Sequence, residues 1–129
     1  MAQIGTVTKR LNISADTLRY YEKIHLLPPI LRDASGLRNY CEKDISRLRF
    51  IKRAQRMRFS LVEIGHLLNF RTAPQQARPD IRQLADDKLA DIEEHLQELK
   101  TLRNELSQLI NLCSNSDDGC PIIEGLDDD

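Results

Sequence analysis

The 129-residue sequence predicts a mainly α-helical protein in which short helices surround one small hairpin and a single long helix follows. Three observations carry that expectation. Apolar residues recur at helical spacing in four stretches before residue 70. Leu27-Pro28-Pro29 interrupts the period shortly before the turn-forming run Asp33-Ala34-Ser35-Gly36. From Ala85 onward an apolar seam repeats in steps of four and three, with one basic interruption at Arg103.

Taken in order, Ile4, Val7 and Leu11 share one helical face, and Asn12-Ile13 ends the run. Ser14 is the expected N-cap of a second helix over about Ala15 to Ile24, with Leu18 and Tyr21 facing inward. Two short helices with so brief a connection fit a helix-turn-helix, although any small bundle could contain such a pair. Proline cannot continue a helix, so Leu27-Pro28-Pro29 closes this unit. Ile30 to Tyr40 reads as two strands around the Asp33–Gly36 turn, flanked by Arg32 and Arg38, and a basic hairpin after a helix-turn-helix is the pattern of a wing.

Helical period returns from Glu42 to Arg56 through Ile45, Leu48, Phe50 and Ile51. Ser60 and Glu63 form a capping box for a helix with Leu61, Ile64, Leu67 and Leu68 on its apolar face. Pro79 suits the first turn of the last helix, whose seam runs Leu89, Ile92, Leu96, Leu99, Arg103, Leu106, Ile110, Cys113. About 35 residues of helix is roughly 52 Å, too long to bury its stripe on so small a domain, so a partner chain is expected to cover it. The alternative is an intramolecular hairpin, against which the unbroken seam argues. The expected organisation is a winged helix-turn-helix with a helical extension over 1–70, a linker over 71–78, a dimerisation helix over 79–112, and an effector loop with an acidic tail over 113–129.

Composition narrows the function. Lys+Arg number 19 and Asp+Glu 20, but residues 1–60 hold thirteen basic and five acidic residues, a balance of +8, while residues 61–129 hold six and fifteen, a balance of −9. Halves of opposite sign point to a nucleic-acid-binding end joined to an acidic end with another task, the alternative being charges clustered on solvated helices. No apolar run approaches the roughly 20 residues of a membrane span. The N-terminus has no apolar signal core, and three cysteines without one fit the reducing cytoplasm. There is no Gly-rich phosphate loop, and His25, His66 and His95 fall in three different elements, so catalysis is not expected.

Two constellations remain. The second helix carries Thr17 near its start, then Arg19, Tyr20, Tyr21 and Lys23, so in a major groove it would offer its side chains to base edges and phosphates. Arg32, Arg38 and Tyr40 of the hairpin would grip the flanking backbone, and Lys9 would reach a phosphate from the first helix. The second constellation is Cys113 and Cys120, with six residues between them, at the end of the long helix and the start of a short apolar turn. At the expected N-cap position the helix dipole favours the Cys120 thiolate, while the end of the long helix disfavours that of Cys113. Two thiolates suit a soft, low-coordinate ion such as Cu(I), whereas a closed Zn²⁺ site wants four ligands. The other reading makes both cysteines small hydrophobes in a cap. Cys41, before the third helix, is expected to be structural.

Ile4-Gly5, Thr17-Leu18-Arg19-Tyr20-Tyr21-Glu22, Leu26-Leu27-Pro28, Gly36-Leu37-Arg38-Asn39-Tyr40 and Phe59-Ser60-Leu61-Val62-Glu63-Ile64, in that order, resemble the MerR family of transcriptional regulators. The resemblance spans nearly the whole chain. It implies a winged helix-turn-helix, an antiparallel coiled-coil homodimer, and a sensor loop at the far end of the coil. It implies a palindromic promoter operator whose −35 and −10 elements lie too far apart, distorted by the liganded dimer so that RNA polymerase can use both. Arg19, Tyr21, Arg32, Arg38 and Tyr40 match DNA-contacting positions of the family, and Cys113 and Cys120 match the paired ligands of its metal-sensing branch. Cys120-Pro121-Ile122-Ile123-Glu124 is similar to the copper-efflux members, so Cu(I) is the favoured effector, with Ag(I), Zn(II), Cd(II) and Hg(II) as alternatives.

Three positions depart from the family pattern. Leu37 replaces the usual wing aromatic, and Arg58 stands where glycine is usual before Phe-Ser-Leu. Arg78 lies where monovalent-metal sensors have Ser and divalent sensors have Cys, and the cysteine loop has the length of some cadmium and lead sensors. Three functions compete: a cytoplasmic metal-responsive regulator, a thiol redox or electrophile sensor on the same scaffold, and a metal-buffering or adaptor coiled coil without a DNA role.

Overall fold

The computed structural model describes residues 1–114; Cys120, the short apolar turn and the acidic tail lie outside the described residues. Two compact units divide at Arg82 and Gln83. The elements of the first are β1 (Ala2–Gln3), α1 (Ile4–Leu11), α2 (Ala15–Lys23), β2 (Leu31–Arg32), β3 (Arg38–Tyr40), α3 (Glu42–Arg56) and α4 (Leu61–Thr72). A 3-10 turn, Pro74–Gln76, leads to α5 (Pro79–Ser114), which starts in the first unit and continues through the second. This is the mainly α-helical winged helix-turn-helix followed by a long helix that the sequence predicts.

The core of the first unit is built from the predicted apolar faces. Val7 and Leu11 of α1, Leu18 and Tyr21 of α2, Ile45, Leu48 and Ile51 of α3, and Ile64 and Leu68 of α4 are buried in one cluster with Leu27, Ile30 and Tyr40. Each helix begins as its sequence dictates. Ser14 Oγ accepts from Thr17 N at 3.1 Å, and Ser60 with Glu63 forms the reciprocal capping box. A second box at α3 uses Cys41, whose N–H and thiol both donate to Asp44 Oδ2 at 2.9 and 3.2 Å. Those two bonds satisfy the one buried charged side chain among the described residues, and they give Cys41 the expected structural role.

The expected hairpin forms around the Asp33–Gly36 turn, with Leu31 opposite Asn39 and Arg32 opposite Arg38. Asp33 Oδ1 accepts from the N–H groups of Ser35 and Leu37, and Gly36 takes φ +81°, a conformation that favours glycine. β1 completes the sheet in the order β1-β3-β2, pairing Ala2 with Tyr40. Two residues ahead of a helix show no alternation to read, so this strand is absent from the sequence analysis. It forms because the free edge of β3 needs backbone partners. Likewise α4 runs on to Thr72, inside the expected linker, because Thr72 Oγ1 and Ala73 N donate to the carbonyls of Leu68 and Asn69. Pro74 then stops it.

Helix C-termini explain one family departure. After α3, Arg58 N bonds Gln55 O and Phe59 N bonds Ala54 O, a Schellman motif with Arg58 in the left-handed position at φ +64°. His25 holds the same place after α2 at φ +61°, with His25 N on Glu22 O and Leu26 N on Tyr21 O. Glycine avoids the Cβ clash of that conformation, so both side chains impose strain.

In α5 the seam residues Leu89, Leu96, Leu99, Leu106 and Ile110 are between 48% and 64% exposed in the single chain. Nothing among the described residues covers this stripe.

Arg58→Gly and His25→Gly should each stabilise the protein. The relieved left-handed strain is partly offset by the greater freedom of glycine in the unfolded chain, leaving a net gain of about 0.5–1 kcal/mol. Urea and thermal unfolding should show raised midpoints, whereas Gly36→Ala, at the positive-φ turn, should lower them.

Candidate nucleic-acid interface and thiol site

The second helix of the helix-turn-helix presents one open face. Arg19 and Tyr20 are exposed, with Arg19 Nη1 on Asp16 Oδ1 at 3.1 Å, and Lys9 is exposed on α1. Thr17 is half-buried, and its hydroxyl accepts from Ser14 Oγ at 2.7 Å within the N-cap. Tyr21 and Tyr40, read from the sequence as DNA contacts, are core residues: 5% and 0% exposed. Tyr21 donates its hydroxyl to Gln55 Oε1 at 3.1 Å and so ties α2 to α3. The Tyr40 hydroxyl has no partner among the described residues, and burial pushes its phenol above the ordinary value.

The wing is bolted to α2 by one ion pair. Arg38 donates from Nε to Glu22 Oε1 at 2.8 Å, both side chains being about one-fifth exposed. Glu22 Oε2 accepts from Ile30 N at 3.0 Å, so this carboxylate clamps both the start and the return strand of the hairpin. Partial burial alone would raise the Glu22 carboxyl, but the bonds from Arg38 and Ile30 and the nearby positive charges outweigh it and hold the group below its ordinary value. Arg32 donates from Nη1 to Gly36 O at 2.8 Å, bracing the turn while remaining exposed. Leu37 is exposed at the wing tip.

Glu22 and Lys52 received no role from sequence. Lys52 donates to the carbonyls of Leu11 and Asn12, neutralising the C-terminal end of α1 just before the Ser14 cap. Its partners lie 41 and 40 residues away, so no local pattern announces it. Glu22 ends the run Thr17–Glu22, in which the sequence pattern gives a role to Arg19, Tyr20 and Tyr21 but none to the carboxylate.

Cys113 lies half-buried in the last turn of α5 and is disulfide-bonded, while Cys41 is free. Arg78 lines an open cavity of about 490 Å³ with His66, Asn69, Phe70 and Ile81 of the first unit, and its Nε lies 3.3 Å from Asp80 Oδ1. Among the described residues no group of three or more His, Cys, Asp or Glu side chains could hold a metal ion. Nor is any described helix long and apolar enough to cross a membrane.

Comparison with known proteins decides the family. Residues 2–70 match the profile of the MerR HTH family of regulatory proteins, and residues 45–109 match that of the MerR DNA-binding region. The chain belongs to the MerR family. It is 35% identical over 124 residues to the HTH-type transcriptional regulator CueR of Escherichia coli O6:H1, covering 95% of this chain and 92% of that protein. It is 36% identical over 126 residues to HmrR of Rhizobium leguminosarum bv. viciae, covering 97% of each. Among solved structures, the transcription regulator PbrR691 of Ralstonia metallidurans CH34 in complex with lead(II) matches at TM-score 0.59 and 32% identity, over 98% of this chain and 99% of that one. As a MerR-family member the chain is a DNA-binding transcription regulator, and these relatives are regulators rather than enzymes.

The Glu22–Arg38 bond gives a pH signature. A carboxyl held below its ordinary value contributes stability that is fully present above the unfolded value of about 4.3 and disappears as pH falls through the folded value. Glu22→Gln should therefore cost about 1 kcal/mol at pH 7 and flatten the acid limb of the unfolding profile below about pH 4.3. Equal acid limbs in the two proteins would contradict the assignment.

Proposed function

We propose that this MerR-family chain is a metal-responsive homodimeric activator, which binds a palindromic promoter operator and distorts it for RNA polymerase when Cys113 and Cys120 take up a thiophilic ion. The observation that carries the reading is Cys113 closing the same 36-residue helix that begins inside the DNA-binding unit. Similarity to CueR and HmrR over nearly the full length, and to a regulator solved with lead(II), supports it.

Lys9, Arg19, Tyr20 and Arg32 are the exposed groups of the expected DNA face. Arg38 spends its Nε–H on Glu22 and keeps four η N–H donors for a phosphate. Tyr21 and Tyr40 act from the core, by fixing the pose of α2 and of the wing. Thr17 stabilises the start of α2 through Ser14 and stands where a base or phosphate would approach.

Two thiolates are a donor set for a soft ion, and Cu(I) is favoured, with Ag(I), Zn(II), Cd(II) and Hg(II) as alternatives. When bound, the ion links the loop to the end of α5. The second copy covers the exposed seam, so a change at that end alters how the two heads are held, a coupling between distinct sites through one two-state element.

The disulfide at Cys113 favours a second reading, in which oxidation rather than metal is the signal. In the metal reading, Cys113→Ser binds operator DNA with wild-type affinity and loses induction by every ion in an anaerobic series of Cu(I), Ag(I), Zn(II), Cd(II) and Hg(II), read by promoter transcription. Normal induction in that variant overturns it. Induction of the wild type by mild oxidant alone, with a disulfide seen by mass spectrometry, would establish the second reading instead.

A further inference from the structure

Six of the thirteen basic residues in 1–60 sit on α3 rather than on α2 or the wing. Arg49, Lys52, Arg53 and Arg56 of that helix, with Arg10 and Leu11 at the end of α1, line a groove of about 270 Å³. We propose that this groove is a second phosphate-binding strip, which holds the backbone of duplex DNA beyond the part touched by α2 and the wing. The inference rests on the DNA-binding reading above and extends it to a face that reading leaves unused.

Charge is the first argument. No carboxylate lines the groove, and no ion pair forms with Arg49, Lys52, Arg53 or Arg56 among the described residues. Arg53 bonds only the Arg49 carbonyl of its own helix. Arg10 lies 3.8 Å from Glu42, but both groups are well exposed and such a contact is weak. Arg49, Arg53 and Arg56 thus form a run of positive charge without a described carboxylate partner, the kind of surface from which a polyanion releases counter-ions.

Spacing is the second. Arg49, Arg53 and Arg56 stand at i, i+4 and i+7, on one side of α3 and away from the buried Leu48, Ile51 and Ala54. Seven residues of helix rise about 10 Å, the axial length of about three phosphates on one DNA strand. Guanidinium forks match phosphate oxygens in pairs, and four of the five cations are arginines.

Position is the third. Lys52 holds the carbonyls of Leu11 and Asn12, so the strip is pinned against the turn that leads to the Ser14 cap of α2. A duplex lying on α2 continues past this turn. An acidic protein surface is the competing occupant, but such interfaces centre on buried aromatic or aliphatic anchors. The sole apolar residue of this groove, Leu11, is committed to the core.

The test is a salt series on the reduced full-length protein with mixed-sequence and palindromic duplexes, comparing wild type with Arg49→Gln/Arg53→Gln/Arg56→Gln. These side chains are exposed, so folding should survive, and circular dichroism checks it; Lys52 is kept because it caps α1. The log–log salt slope should fall by roughly 2–3 for each subunit bound to the duplex, about 0.9 per phosphate lost, with the same fractional loss of affinity on every sequence. An unchanged slope with wild-type affinity overturns the strip alone. So does an unchanged slope accompanied by lost binding to polyglutamate, which would place an acidic protein in the groove. A wild type that binds no duplex overturns the DNA-binding reading and this one with it.

Discussion

A helix of 36 residues with leucines along one stripe cannot exist stably in water by itself. Isolated helices draw little stability from backbone propensity, and a half-exposed seam of five large aliphatics adds none until something covers it. The architecture follows from that constraint. The seam has heptad spacing, so its natural cover is another helix of the same kind, which a second copy would supply. Pairing through α5 would couple two DNA-binding units, as a palindromic site requires.

The DNA-binding unit meets a different constraint, the need to present a short helix without letting it move. A nine-residue helix such as α2 has little stability of its own. It is held on three sides: Ser14 caps its start, Tyr21 joins it to Gln55 of α3, and Glu22 joins it to Arg38 and Ile30 of the wing. Lys52 secures the turn in front of it. Rigid presentation of this kind fixes the helix that carries the exposed Arg19 and Tyr20, which is what reading a groove with them would demand. The cost is that two tyrosines with the look of surface contacts are consumed as supports.

Much of this was legible because the signals are local. Ser14, Ser60 with Glu63, and Gly36 each act within a few residues, and each produces the expected cap or turn. What escaped depends on contacts remote in sequence. β1 exists because β3 passes beside it, Lys52 reaches back some forty residues, and the side of α3 on which its arginines fall matters only once α1 is packed there. Arg58 is intermediate: its departure from glycine was visible, but the reason glycine suits the position, a left-handed residue closing a Schellman motif, is conformational. At the thiol end, the sequence put Cys113 at the junction of a helix ending at 112 and the effector loop; α5 runs on to Ser114 and takes Cys113 into its last turn, and Cys120 lies outside the described residues.

The claim on which the account turns is that the seam of α5 is an interface between two copies of this chain. Sedimentation equilibrium of the reduced, metal-free protein tests it most directly, carried down through a dilution series and repeated with Leu99→Asp. The account predicts a dimer for the wild type throughout and a monomer for the variant. A wild-type chain that sediments as a monomer while α5 stays helical would contradict it.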